Sequence, residues 1–367
     1  MVFFGWILII LVSVYVLLIL ISIAGFFKKP AEQGKKNFRV SVILPVRNEE
    51  KNLDIVIPSL LAQRHPDYEI IIANDHSSDR TKEIAEKYIQ QFPGKIKWTE
   101  SEEGCYGKKQ ALLKGINEAS GEIIFTTDAD CVHHREWLSK MAAAFGNEKI
   151  KMAAGTVLIK KPSSFFEHIQ QLDQLSLTAV SAGTMRMGWP LMCSGANLAF
   201  RKKDFYATGK YKGHLHEKSG DDVFLMFRMA DDLGKEAIDF SVSPETAVQT
   251  TPSYSVSAFL SQHLRWGEKA KRYHRFFPLF VAILTVLIPL GCIAGLLLLP
   301  VYHAHFALLS ISLGAKAAID FLLLFLTGRV LGASASLWYF VPAFFFHLFY
   351  VPVVALAALV SKKAEWK

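Results

Sequence analysis

The sequence predicts an α/β fold, a mostly parallel sheet with helices on both faces, together with about four transmembrane helices. Two observations support this prediction: strand and helix patterns alternate in the charged middle of the chain, and long apolar segments lie on either side of it. Four successive pairs of strand and helix favour a parallel sheet covered on both faces. The chain is 367 residues long, which allows about two domains, and it is 51% apolar. This composition excludes a disordered, collagenous or disulfide-scaffold protein.

The apolar segment from Phe3 to Phe27 carries no charge and is long enough to cross a hydrocarbon core of about 30 Å. A cleaved signal peptide is the alternative, but the segment lacks a basic start and exceeds the usual length of a signal peptide's apolar core. Three further spans are predicted in the C-terminal third: Phe276–Pro300, His305–Thr327 and Leu337–Val360. Pro342 and Pro352 could break the last of these into a re-entrant pair.

The net charge of +8 is concentrated in two short segments that flank the apolar ones. Residues 28–39 and 262–275 each carry a net charge of +4, whereas residues 40–261 contain 26 basic and 29 acidic residues. This pattern indicates a membrane protein with a cytoplasmic middle domain and argues against nucleic-acid binding. The predicted domains are an N-terminal anchor (1–27), a cytoplasmic domain (28–261), a basic interfacial helix (262–275) and a C-terminal transmembrane region (276–361).

The middle domain alternates β-branched apolar runs with amphipathic segments. After Met152 this pattern loosens, and we expect loops such as 155–195 to shape a substrate pocket. Ligands of parallel sheets bind beyond the carboxyl ends of the strands. The predicted strands are Arg39–Pro45, Tyr68–Ala73, Lys95–Glu100 and Glu122–Thr127. One predicted helix ends near Arg64, and two others span Arg80–Gln91 and Lys108–Ala119.

Acidic residues follow two of these strands directly. Asp128 and Asp130 form a D-x-D at the end of the fourth strand, where two carboxylates can share a divalent cation with phosphate oxygens. Asp residues are also common in turns and at helix N-caps, which is the structural alternative. Asp75 follows the second strand, where it would cap a helix or bind a base or ribose. Lys108 begins a helix and could hold phosphate, or belong to a solvated lysine pair with Lys109.

Two later motifs carry further candidate residues. Asp221 and Asp222 precede an apolar helix, as a helix cap or as a general base that deprotonates an acceptor hydroxyl. Gln262, Arg265 and Trp266 lie on one helix face, and their types suit a sugar ring and a phosphate. An interfacial helix with its Trp in the membrane belt is the alternative.

Lys316 and Asp320 lie four residues apart in the third apolar segment, hence on one helix face. A mutually neutralising pair inside the bundle is the favoured interpretation, and a polar lining for an acceptor path is the alternative.

Together these motifs resemble the family 2 glycosyltransferases, specifically the membrane-integrated branch with cellulose, hyaluronan, chitin and poly-N-acetylglucosamine synthases and, more distantly, ceramide glucosyltransferases. The resemblance covers about residues 38–275 and rests on the order of the motifs as well as on their letters. Asp221 stands where many relatives have Glu, and Leu113 where many have Asn. The motifs are SVILPVRNEE at 41–50, ANDHSSDRT at 73–81, GKKQAL at 107–112, TTDADC at 126–131, GANLAFRKKDF at 195–205, GDD at 220–222 and QHLRW at 262–266.

The resemblance implies a nucleotide-diphospho-sugar transferase (GT-A) fold and a set of roles. Asp222 would be the catalytic base, and Asp130, with Asp128, would hold Mg²⁺ or Mn²⁺. The other implied roles are substrate contacts: Asp75 to uracil or ribose, Lys108 to the nucleotide or diphosphate, Asp128 to the ribose or donor sugar, Asp221 to substrate, and Gln262, Arg265 and Trp266 to the acceptor and diphosphate.

The implied function is an inverting transfer from a nucleotide-diphosphate sugar, expected to be a UDP-sugar, to a hydroxyl of a lipid or polysaccharide acceptor at the bilayer. The expected location is the bacterial inner (cytoplasmic) membrane with the catalytic domain in the cytoplasm. The chain has fewer apparent spans than most polysaccharide synthases, which leaves room for partner subunits in export. The alternative is a catalytically inactive nucleotide-sugar-binding subunit that assembles or regulates an envelope polysaccharide machine.

Overall fold

The computed structural model describes residues 2–28, 37–211, 220, 222–270, 272–273, 275–299 and 306–361. The chain divides into two compact units, each described by itself below. The sheet unit comprises Lys28–Lys160, Thr184–Thr251 and Glu365–Lys367. The helical unit comprises Met1–Phe27, Lys161–Gly183 and Pro252–Ala364.

The sheet unit contains a seven-stranded sheet and a three-stranded sheet within the described ranges. The larger sheet has the order β3-β2-β1-β4-β8-β6-β9, and the smaller one has the order β5-β10-β7. The strands are β1 (Val40–Val46), β2 (Tyr68–Asn74), β3 (Ile96–Glu100), β4 (Ile123–Thr126), β5 (Cys131–His133), β6 (Met152–Gly155), β7 (Val157–Ile159), β8 (Leu198–Arg201), β9 (Ile238–Ser241) and β10 (Val248–Thr250).

The larger sheet is mostly parallel, as the sequence predicts. β1 pairs in parallel with both β2 and β4, and β2 pairs in parallel with β3. Strand β8 runs antiparallel to its neighbours β4 and β6, so the segment just before β8 returns to the edge where β4 ends. All residues of β1, β2 and β4 are buried, which explains why these strands read as continuous apolar runs.

Helices cover the large sheet, and one of them packs unusually close. A Cβ atom at Gly115 would lie 2.7 Å from the Ile43 side chain in β1, so the glycine lets its helix approach the strand. The helices that lie wholly in this unit are α2 (Leu53–Leu61), α3 (Thr81–Gln91), α4 (Lys108–Glu118), α5 (Trp137–Ala142), α7 (Lys202–Ala207) and α8 (Val223–Leu233).

The helical unit contains four described helices that are long and apolar enough to cross a membrane: Phe3–Phe27, Phe276–Leu298, Phe306–Leu331 and Ser334–Val360. Two more polar helices accompany them, and one of these continues from this unit into the sheet unit. The helices are α1 (Val2–Phe27), α6 (Phe165–Arg186), α9 (Val256–Ala270), α10 (Phe276–Leu298), α11 (Phe306–Leu331) and α12 (Phe340–Val360).

Two sequence interpretations of this region are wrong. The last apolar segment is not broken into a re-entrant pair, because Pro342 lies in the first turn of α12 and the helix continues through Pro352. The expected loop region 155–195 contains the 22-residue helix α6. Polar side chains of α6 pair with groups distant in sequence and take buried positions that apolar side chains usually occupy. The apolar periodicity that marks a helix is therefore weak there.

The compact units differ from the predicted domain bounds, and the domain assignment stays a prediction. Residues 161–183 group with the apolar helices, although they fall inside the predicted domain 28–261. The predicted interfacial helix begins at Val256 as α9, six residues before the predicted bound.

The favoured interpretation of the Lys316–Asp320 pair agrees with the geometry. Lys316 is 2% exposed, and its ammonium lies 2.5 Å from Asp320, which also accepts a hydrogen bond from Tyr15.

Candidate active site

The D-x-D lies just beyond the carboxyl end of β4. Asp128 forms an ion pair with Lys108, whose Nζ lies 2.6 Å from the Asp128 Oδ1. Lys108 is the first residue of α4, so the start of this helix places an ammonium at Asp128. Lys109 is only 3% exposed, with its Nζ 5.9 Å from the centre of the Phe224 ring. The expectation of a solvated lysine pair is therefore wrong.

Asp130 is partly buried beside Asp128. Its Oδ2 accepts a hydrogen bond of 3.0 Å from the hydroxyl of Thr250 in β10. Burial, followed by the charge of Asp128, raises the pKa of Asp130 above its ordinary value. Burial and the charges of Asp130 and Asp128 also raise the pKa of Glu49, against a hydrogen bond from Asn52 that lowers it. Three carboxylates therefore crowd together at this edge and repel one another.

This acidic edge fits a divalent cation that is only partly coordinated by protein. Clustered carboxylates are the ligands that Mg²⁺ and Mn²⁺ prefer, and a cation would relieve the repulsion between Asp128 and Asp130. Among the described residues, however, no group of three or more acidic, His or Cys side chains could hold a metal ion by itself. The remaining ligands would have to be phosphate oxygens and water, as is usual for Mg²⁺ at nucleotide sites.

Asp75 lies at the end of β2, and its side chain is fully buried. The Gly107 amide donates to the Asp75 Oδ1 at 2.8 Å, and Arg47 donates to the Oδ2 at 3.2 Å. Gly107 has a φ of +106°, which only glycine adopts without strain, and it directly precedes Lys108. Asp75 therefore ties together the loop after β1 and the start of α4.

Asp222 lies at the same edge of the sheet as the D-x-D. Its Oδ2 accepts a hydrogen bond of 3.2 Å from the Gly195 amide, and the Gly195 carbonyl accepts one of 2.7 Å from the hydroxyl of Thr126. Thr126 is the last residue of β4, two positions before Asp128. One residue therefore connects the Asp222 carboxylate to the end of the strand that carries the D-x-D.

The local chain around Asp222 also satisfies the helix-cap expectation. The Asp222 Oδ1 accepts the backbone N–H of Val223 at 2.7 Å, at the start of α8. Gly220 has a φ of +86°, and a Cβ atom there would lie 2.5 Å from the Phe224 ring. Only glycine therefore fits this turn. Asp221 lies outside the described residues.

The QHLRW segment lies in α9 and belongs to the helical unit, whereas the carboxylates above belong to the sheet unit. Gln262 accepts a hydrogen bond of 3.2 Å from the Ser253 hydroxyl. Arg265 is half-buried, and burial lowers the pKa of its guanidinium. The Trp266 ring centre lies 4.7 Å from that of His263. Within α9 the three predicted residues share one face.

Sequence reasoning missed several residues that hold this edge in place. His133, which follows the D-x-D by three positions, accepts or donates hydrogen bonds with Thr127 at 2.7 Å and Ser59 at 3.0 Å. Burial lowers the pKa of His133 to about 3, so the ring is neutral. Thr250 and Gly195 approach Asp130 and Asp222 only through tertiary structure. The local signals were the position of His133 directly after an acidic turn and that of Gly195 at the start of the GANLAFRKKDF motif.

The fold and this carboxylate-lined edge define a class of protein. The structure is similar to that of mannosyltransferase PcManGT from Pyrobaculum calidifontis, solved in complex with GDP-Man and Mn²⁺. The TM-score is 0.64 at 20% sequence identity, and the match covers 98% of this chain and 100% of that chain. The protein therefore has a GT-A-like glycosyltransferase fold, as the resemblance implied.

The family follows from the sequence match. Residues 41–209 match the family described as Glycosyl transferase family 2. This segment, which is less than half of the chain, matches a family 2 glycosyltransferase domain, as the sequence motifs predict.

Curated relatives match over part of their length. Glycosyltransferase AglE of Haloferax volcanii is 26% identical over 203 residues, which are 52% of this chain and 61% of that protein. Poly-beta-1,6-N-acetyl-D-glucosamine synthase of Staphylococcus epidermidis is 32% identical over 139 residues, 38% of this chain and 33% of that protein. The match thus spans less than two thirds of each of these relatives.

Proposed function

We propose that the protein is an inverting membrane glycosyltransferase that transfers a sugar from a nucleotide-diphosphate donor to a hydroxyl of a membrane-associated acceptor. One observation carries this proposal: the hydrogen bonds from Thr126 through Gly195 to Asp222. They hold a carboxylate from the start of α8 at the strand end that carries Asp128. A base on one side of the reacting carbon and a diphosphate site on the other is what an inverting displacement needs.

In this mechanism Asp222 takes the proton of the acceptor hydroxyl. The oxygen attacks the anomeric carbon from the side opposite the nucleotide, so a new C–O bond forms while the bond to the diphosphate breaks. The amide of Gly195 fixes one Asp222 oxygen and the amide of Val223 fixes the other, which orients the remaining lone pairs. The nucleoside diphosphate leaves with the bonding electron pair.

The donor side uses the acidic edge and the start of α4. Asp75 is assigned to the base or ribose, Lys108 to the diphosphate, and Asp128 to the ribose or donor sugar. Bound between Asp130, Asp128 and the diphosphate, a divalent cation, Mg²⁺ or Mn²⁺, would neutralise charge on the leaving group. PcManGT binds Mn²⁺ with GDP-Man, which supports testing guanosine donors beside the expected uridine donors.

The acceptor side is assigned to the membrane. Four helices suited to cross a bilayer support an acceptor that is lipid-linked or held at the membrane surface. Gln262, Arg265 and Trp266 are assigned to the acceptor and diphosphate on the strength of their motif. A relative that is named as a polysaccharide synthase supports a growing glycan as one acceptor, and a membrane lipid is the other.

The test incubates membranes containing the full chain with a panel of UDP- and GDP-sugars and measures released nucleotide with and without divalent ions. We expect release with one donor, lost on chelation and restored by Mg²⁺ or Mn²⁺. Asp222→Asn should abolish release. Asp232→Asn, an exposed carboxylate at the other end of α8, is the matched control and should remain active.

A different outcome would overturn the proposal. If the protein bound a nucleotide sugar but released no nucleotide with any donor or acceptor membrane, it would instead be an inactive binding subunit. Equal turnover by Asp222→Asn and wild type would exclude Asp222 as the base.

A further inference from the structure

The helical unit contains a buried ion pair next to the QHLRW motif. His263 of α9 places its Nε2 atom 3.0 Å from the Oδ2 of Asp173 in α6. Tyr350 of α12 donates its hydroxyl proton to the other Asp173 oxygen at 2.5 Å. The side chains of Asp173 and His263 are 8% and 10% exposed. Three helices therefore meet at one carboxylate.

The hydrogen bonds define the charges of this pair. The Nδ1 atom of His263 lies 3.0 Å from the Phe259 carbonyl, which only accepts, so Nδ1 carries a proton. The Nε2 atom faces a carboxylate and carries the second proton. Burial disfavours the charged form of both groups, but the ion pair and the hydrogen bonds outweigh burial. The pKa of His263 is therefore raised by Asp173, and the pKa of Asp173 is lowered by His263 and by the hydrogen bond from Tyr350. His347 of α12 is the other titratable group that acts on Asp173.

A second contact between α6 and the motif lies one turn away. Gln170, three residues before Asp173, exchanges two hydrogen bonds with the backbone of Ser253, at 3.0 Å and 2.8 Å. The Ser253 hydroxyl in turn donates to Gln262 at 3.2 Å. The same face of α6 therefore reaches two adjacent residues of QHLRW, Gln262 through Ser253 and His263 directly.

These contacts determine the rotation of α9 about its axis. Aromatic packing of Phe166 and Phe346 around Phe259, with ring centres 5.6 and 5.7 Å away, holds the helix but is weakly directional. A hydrogen-bonded ion pair needs a specific geometry, and buried polar pairs are best attested as devices that fix register. A rotation of α9 by one residue, about 100°, would remove His263 from Asp173 and carry the motif face away with it.

We propose that Asp173 and His263 are positioning residues that orient Gln262 and Trp266 of the QHLRW motif for the acceptor. This inference rests on the proposed function. His263 acts through its neighbours: its ring contacts the Trp266 ring at 4.7 Å, and its ion pair fixes the helix that carries all three motif residues. Asp173 acts only through His263 and Tyr350 and needs no contact with substrate.

The test compares Asp173→Asn, His263→Gln and the double variant in full-length protein in membranes, with the donor and acceptor identified for wild type. Each single variant should lower kcat/KM for the acceptor at least tenfold and leave the affinity for nucleoside diphosphate within twofold. The kcat/KM of the double variant should be no lower than that of the more impaired single variant, because both substitutions remove the same interaction. Tyr350→Phe, which keeps the pair and removes one hydroxyl, should cause a loss of a few fold.

Asp320→Asn is the matched control, because it breaks a second buried ion pair of the helical unit, that of Lys316 in α11. It should lower thermal stability and leave kcat/KM unchanged. The inference is overturned if the folded single variants keep the wild-type kcat/KM. It is also overturned if the loss of kcat/KM in the double variant is the product of the two single losses, or if Asp320→Asn lowers kcat/KM as much as they do. If Asp173→Asn fails to accumulate, the kcat/KM values of His263→Gln and Tyr350→Phe test the inference by the same criteria. An inactive wild type would overturn the proposed function itself, whereas an active wild type with active variants overturns only this inference.

Discussion

The acidic cluster at the sheet edge and the buried acids of the helical unit are held in different ways. At the carboxyl edge of the sheet, Asp128, Asp130 and Glu49 crowd against one another, with Lys108 as a close cation beside Asp128. In the helical unit, Asp173 and Asp320 each face their own cation in a buried pair. Buried carboxylates that only support a fold are expected to be paired.

The difference separates charge that is neutralised within the fold from charge that is left for a ligand. Mutual repulsion between carboxylates lowers the stability of a fold. Such repulsion is retained where a ligand of opposite charge is to be bound. The paired acids of the helical unit leave no net charge to be neutralised. Substitutions should therefore lower activity without loss of stability at the sheet edge, and lower stability in the helical unit.

The largest expected effect is that of Asp222→Asn. Loss of a general base should lower kcat by about 10²–10⁴-fold, while donor KM changes little, because the base acts only in the transition state. Steady-state release of nucleotide from the identified donor measures both constants. A loss confined to KM would contradict the assignment and would make Asp222 a binding residue.

Asp130→Asn should abolish metal-dependent turnover and leave the unfolding temperature of the ligand-free protein equal or higher. Removing one of two adjacent, partly buried negative charges relieves repulsion, and the amide still accepts the hydrogen bond from Thr250. Thermal unfolding without divalent ions checks this expectation. A clear drop in unfolding temperature would mean that Asp130 is a structural carboxylate.

Asp173→Asn should destabilise the protein by about 3–5 kcal/mol, because it leaves the buried imidazolium of His263 without its counter-charge. Denaturation in detergent, followed by tryptophan fluorescence, measures the change. The contrast with Asp130→Asn is the sharpest form of the comparison between the two units. Similar stability of the two variants would remove the distinction.

The same ion pair predicts a pH window for stability. The contribution of His263, whose pKa is raised from 6.5, is fully present below 6.5 and is lost as the pH rises through the raised value. The contribution of Asp173, whose pKa is lowered from 3.8, is present above 3.8 and is lost as the pH falls through the lowered value. Unfolding midpoints between pH 5 and 9 should decline on the alkaline side, and His263→Gln should flatten that decline. An unchanged slope would contradict the charged pair.

The smallest effect is expected for Thr250→Val, which removes one hydrogen bond to Asp130. A single neutral donor to a carboxylate is worth about 1–2 kcal/mol, so turnover should fall by roughly 5- to 30-fold. Measured KM for the divalent ion should rise in parallel. A loss as large as that of Asp130→Asn would show that Thr250 has a role beyond orienting the carboxylate.

Much of the sheet could be predicted from sequence because its pattern is local. The strands β1, β2 and β4 are buried apolar runs, and acidic motifs follow β2 and β4 at their carboxyl ends, where parallel strands present ligands. The strands after Met152 are only three or four residues long, and β8 is antiparallel, so no alternation marks them.

The contacts that complete each site could not be predicted, because they join distant residues. Asp173 and His263 are 90 positions apart, and Asp130 and Thr250 are 120 apart. Neither Thr250 nor Asp173 stands in a recognisable motif. Polar side chains of helix α6 bond to groups distant in sequence, such as Ser253 and Tyr350, so its sequence alone resembles a loop-rich segment.

The most direct test of the account is a ligand-stabilisation measurement on purified full-length protein. A nucleoside diphosphate with Mn²⁺, at about 100 times its Kd, should stabilise wild type by about 2.7 kcal/mol. Asp222→Asn should be stabilised equally, since the base does not hold the donor, whereas Asp130→Asn should show no stabilisation that depends on Mn²⁺. Equal stabilisation of Asp130→Asn and wild type would contradict the claim that the crowded acids at the sheet edge exist to bind a cation and a diphosphate.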